Sequence, residues 1–206
     1  MTNRVLLGAV SGSVVVFLVS SIWHMATGLG QAGIQSLPDE DTVLSAMRSS
    51  IHSAGFYFFP GMNPGKEATK DPKQDGQAAY LGKYKAGPTG ILIYHPGGEE
   101  LSFGKLIAVQ FLDGLAGAFL LAFVLAMTAD TTTFKKRALL VVAISVFAAV
   151  VYEIPYWNWY GFPVNYISAH GAGWIVSWSI AGLAMAAMIK RPAGVRIARR
   201  RAVQAP

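Results

Sequence analysis

Hydrophobic positions in this chain fall into four long runs, separated by polar stretches of very unequal length. The first, Val5 to Trp23, carries no charge. At about 1.5 Å of rise per helical residue it is long enough to cross the ~30 Å hydrocarbon layer of a bilayer, and with its flanks it predicts a first span over residues 4–24. A cleaved leader is the competing reading, since Arg4 supplies a positive start. The run is long for a leader, however, and no A-x-A site follows Ser20 and Ser21, so the span is kept. A second span is predicted over 103–128, interrupted by Asp113 amid Gly114 and Gly117, a third over 138–155 and a fourth over 164–189.

The polar stretches complete the layout. Residues 25–102 form a long insert that reads as structured. Within it, 36–51 predicts a short helix with Ser36 as cap and Val43, Leu44, Met47 and Ile51 on one face. Phe56–Phe59 and Thr89–His95 predict two strands of a hairpin, and Gly61–Gly87 between them reads as a long loop with a polar tip. Residues 129–137 are a short loop, 156–163 an aromatic turn and 190–206 a basic tail. The expected fold class is all-α membrane: a four-transmembrane-helix bundle with a small extracytoplasmic α+β insert between spans 1 and 2.

Charge orients this bundle. Arg4, the Lys135–Lys136–Arg137 triplet and the basic tail lie on one side in short segments, whereas the basic residues of the insert are offset by its acids. The positive-inside rule then places both termini in the cytoplasm and the insert outside. The formal charge of +6 therefore reads as a topology anchor on anionic lipid and not as a nucleic-acid surface. Composition agrees: of 206 residues 53% are hydrophobic, and the mean hydropathy is +0.41. The absence of cysteine excludes disulfides, thiolate metal sites and a cysteine nucleophile.

Chemistry is expected around the aromatic stretch Tyr152–His170, YEIPYWNWYGFPVNYISAH, whose rings suit the headgroup layer. One ionisable residue per span falls toward the outer half: His24, Asp113, Glu153 and His170. Intramembrane ionisable groups are costly and mark functional positions. This quartet admits a divalent metal site, a haem b held by His24 and His170, or a proton or ion relay through Asp113 and Glu153. It equally admits local roles, with each group bonded to headgroups, backbone or an aromatic hydroxyl. No H-x-x-x-H or E-x-x-H spacing singles out a metal. In the insert, His52, His95, Tyr57 and Tyr94 approach one another if the two strands pair, forming a possible ligand-facing patch. Gly8, Gly12, Gly114, Gly117 and Gly182 are candidates for close helix contact, either inside the bundle or with a partner. No phosphate loop, nucleophile elbow, zincin or dinucleotide motif is present.

The segments LPDEDTVLSAMRSSIHSAGFYFFPGM, GPTGILIYHPGG and YWNWYGFP together resemble a family of uncharacterised bacterial four-span inner-membrane proteins. The resemblance implies the bacterial inner membrane with the insert in the periplasm, and it brings no activity with it. With no tightly spaced catalytic motif and several small residues for helix contact, the expected function is non-enzymatic. The chain reads as an accessory or structural protein that binds other membrane subunits, or a second copy of itself, within the lipid bilayer, and no nucleic acid.

Overall fold

The computed structural model describes residues 2–61, 72–98, 100–129 and 131–189. The basic tail at 190–206 and the tip of the expected loop, 62–71, lie outside these. In chain order the elements are α1 (Thr2–Ala26), α2 (Glu40–Ser50), β1 (Gly55–Phe59), α3 (Pro72–Ala86), β2 (Gly90–Tyr94), α4 (Phe103–Thr128), α5 (Phe134–Tyr160) and α6 (Val164–Met188). The helices α1, α4, α5 and α6 are each long and apolar enough to cross a membrane. The chain divides into two compact units, one of residues 1–34, 101–157 and 162–206, the other of 35–100 and 158–161.

In the first unit α1 packs against both α4 and α6, and α4 also meets α6. Small residues make this possible. Ala9, Ala118, Ala122 and Ala186 are almost wholly buried, and Leu121, Leu125, Val141, Met185 and Ile189 fill the space they leave. Four of the five candidate glycines serve this internal packing. A methyl group at Gly8 would lie 2.9 Å from Ile189 Cδ1 and one at Gly117 2.5 Å from Trp178 Cη2; one at Gly12 would collide with Met185 and one at Gly182 with Val141. Gly114 is different, with only Ser13 Oγ nearby at 3.8 Å.

Both ends of the third apolar helix differ from the sequence reading. The third apolar helix was expected at 138–155 and followed by a turn over 156–163, but α5 begins at Phe134 and runs through Pro155 to Tyr160. Proline removes one backbone donor, yet a long apolar helix tolerates that loss when its neighbours hold it. The helix stops where the backbone changes hand: Gly161 adopts the left-handed φ of 70° common just past a helix end, and the Phe162 amide donates back to the Tyr156 carbonyl at 3.2 Å. At the other end the basic triplet is helical and not part of a loop over 129–137. Arg137 is only 4% exposed and donates to the carbonyl of Ala186 in the last turn of α6.

The second unit contains the predicted hairpin. Strands β1 and β2 pair antiparallel, with Tyr57 opposite Leu92 and Gly55 opposite Tyr94. The preceding helix is shorter than expected: α2 starts at Glu40 with Asp39 at its cap position, φ 48°, in place of Ser36. The expected loop is also partly helical, since α3 occupies Pro72–Ala86. Proline at a first helical position followed by Lys, Gln, Ala and Leu is a sound helix start. Gly76, Gly82 and the dispersed charges hide it from a reading based on polarity.

Candidate functional site

Toward the end of the first unit where α1 terminates and α4 and α6 begin, these three helices separate and leave a cavity of about 630 Å³. It is lined from α1 by Phe17, Trp23 and His24 among others, from α4 by Ile107, Gln110, Asp113 and Gly114, and from α6 by His170, Trp174, Ser177 and Trp178. Pockets for small ligands run from about 300 to 1,000 Å³ and are mainly apolar with a few polar groups, which fits this wall.

Three of the four ionisable residues singled out in the spans, His24, Asp113 and His170, therefore border one cavity. The fourth, Glu153, lies behind the wall on α5. It is 5% exposed and sits 2.5 Å from His170, Oε1 to Nδ1. Gly171 permits this approach, since a methyl group there would stand 3.3 Å from Glu153 Cγ. A carboxylate only accepts, so the proton of this bond belongs on Nδ1. The other ring nitrogen, Nε2, then accepts from the Trp174 indole at 3.4 Å, a long contact. Carboxylate and indole together fix the tautomer and tilt of the imidazole.

The imidazole also belongs to a row of rings. Tyr166, His170, Trp174 and Trp178 recur every fourth residue along α6, the spacing of one helix face. Tyr166 stacks on His170 with centroids 5.6 Å apart, and Trp174 stacks on Trp178 at 6.2 Å. Trp178 in turn rests on Gly117 of α4, and Trp23 of α1 presses its indole nitrogen against Gly173 of α6. Trp23 Nε1 and Ser177 Oγ are both buried in this seam without a hydrogen-bond partner.

The quartet is thus divided: Glu153 and His170 bond to each other, while His24 and Asp113 line the cavity without joining them in a cluster. Among the described residues no group of three His, Asp or Glu side chains is placed to hold a metal ion. In the insert, Tyr57 donates to the Ser53 carbonyl at 2.9 Å and Tyr94 is buried, while His52 and His95 are both exposed just outside the open end of the hairpin, where Gly55 faces Tyr94. Sequence reasoning passed over Trp174, Trp178, Gly171 and Trp23. The four-residue aromatic period after Tyr166 was the available signal for the first two.

No family model, curated protein or solved structure matches this chain.

Proposed function

We propose that this chain is a multi-pass protein of the bacterial inner membrane, with both termini cytoplasmic and residues 35–100 outside, that acts by binding and not by catalysis. It holds a small lipophilic molecule in the cavity between α1, α4 and α6, as an accessory to other membrane components. The length and hydropathy of the four helices support the membrane assignment. So do outward-facing side chains such as Leu120, Leu139 and Phe147, each about 70% exposed on the isolated chain, a surface suited to lipid and costly in water.

The observation that carries the binding reading is the cavity itself: a wall of aromatic and aliphatic side chains, with polar groups confined to a few positions. Purification in mild detergent, transfer to lipid nanodiscs and native mass spectrometry test it. About one retained lipophile per chain is expected, and Ile107→Trp, which fills the cavity from the exposed face of α4, should remove it. A chain that carries neither adduct nor partner contradicts the reading.

A second reading draws on one specific observation, that His24 and His170 border the same cavity. A carboxylate on the far nitrogen of an axial histidine is the usual outer-shell arrangement for a metal-bound imidazole, and Glu153 supplies it. A Soret band in protein produced with ample haem supports a bis-histidine haem, and its absence removes that reading.

A further inference from the structure

Asp113 lines the cavity, and among the described residues it has neither an ion pair nor a hydrogen bond. Its side chain is exposed on the isolated chain, at the open side of the cavity on an apolar helix that lipid would cover, and a carboxylate there needs a partner, because hydrocarbon does not solvate charge. No Lys or Arg lines the cavity to provide one; its other ionisable residues are His24 and His170, and His170 is already engaged with Glu153. Four aromatic side chains surround the same space, Phe17, Trp23, Trp174 and Trp178. The negative faces of such rings attract cations, and the attraction strengthens where water is excluded.

From this combination we infer that the cavity binds a lipophilic organic cation, a quaternary or protonated amine on an apolar body, with Asp113 as counter-charge and the tryptophans around its hydrocarbon. The inference rests on the cavity reading above and adds the sign of the ligand's charge. It also favours a free cation over the ammonium of a lipid headgroup. Asp113 stands ten residues beyond Phe103, the start of α4, which is about 15 Å along the helix axis and deeper than a headgroup rests.

The test uses tetraphenylphosphonium and its anionic counterpart of nearly the same size and shape, tetraphenylborate, with the full chain in phosphatidylcholine nanodiscs and tryptophan fluorescence as readout. Saturable binding of the phosphonium is expected, with little competition from the borate. Asp113→Asn should weaken it at least ~10-fold and Asp113→Glu only a few-fold, both variants eluting as monodisperse particles. Ile107→Trp should abolish it. Equal binding of the two ions, or phosphonium binding unchanged in Asp113→Asn, overturns the cation inference; if Ile107→Trp still removes binding, the cavity reading survives. Fluorescence changes that do not saturate and are unaffected by Ile107→Trp report partition into lipid and overturn both.

Discussion

Glu153 and His170 stand eight residues before Gly161 and eight after Phe162, and their side chains meet at 2.5 Å. Two antiparallel helices joined by a turn this short place such positions at the same height, about 12 Å from the turn at 1.5 Å per residue. Glycine at 171 lets the α5 carboxylate lie against the α6 backbone. The pair thus follows from the turn geometry and one small residue. Its consequence is a histidine held in one orientation at the edge of a cavity.

Removing only His170 leaves Glu153 buried without its partner, so His170→Ala should destabilise by about 3–5 kcal/mol. The double change Glu153→Leu with His170→Ala, which removes the carboxylate as well, should cost less than His170→Ala alone. Denaturant titrations of these two variants and of Glu153→Leu alone in detergent would show this ordering. Equal or additive losses would mean that the two groups are not coupled.

Arg137 presents a similar contrast inside one basic triplet. It donates to the Ala186 carbonyl, one of the acceptors that the end of α6 leaves without an intrahelical partner, whereas Lys135 and Lys136 are exposed. Arg137→Ala should therefore cost about 1–3 kcal/mol, and Lys135→Ala or Lys136→Ala less than about 0.5. Apparent melting temperatures of the three purified variants check this. A uniform effect across the triplet would reduce Arg137 to a charge anchor like its neighbours.

The glycines separate in the same way. Gly182→Ala places a methyl group into Val141 and should cost about 1–3 kcal/mol through overpacking. Gly114→Ala meets only Ser13 Oγ at van der Waals distance and should be neutral, or stabilising by up to about 1 kcal/mol through helix propensity. Thermal unfolding of both variants decides whether close packing or propensity governs each position.

Gly117 ties helix packing to the cavity. Trp178 lies on it, so Gly117→Val should displace that indole and weaken lipophile retention several-fold even where the fold persists. Native mass spectrometry on the monodisperse variant measures the retention. Unchanged retention would remove Trp178 from the wall that matters.

Much of this architecture is legible in the chain, because long apolar runs and two short aromatic or aliphatic runs, each closed by a proline, are strong local signals. The four helices and the β1–β2 pair were found that way. Helix ends were less visible: Pro155 reads as a stop, but α5 continues to Gly161, where a left-handed residue ends it. Helix α3 was hidden by its charges and glycines. At the site, His24, Asp113, Glu153 and His170 were identified by their cost in an apolar run. Which of them meet depends on helix rotation, and that is set by contacts such as Gly171 against Glu153 and Gly117 against Trp178. A list of residue types does not contain this information.

All the functional argument requires that α1, α4, α5 and α6 cross a bilayer with the hairpin unit outside. The chain has no cysteine, so single substitutions can be labelled without background. Exposed positions Ser50, at the end of α2, and Thr131, between α4 and α5, are the informative pair. In spheroplasts of an expressing host, a membrane-impermeant maleimide should label Ser50→Cys directly and Thr131→Cys only after permeabilisation. Labelling of both in sealed spheroplasts, or of Thr131→Cys alone, would contradict the account.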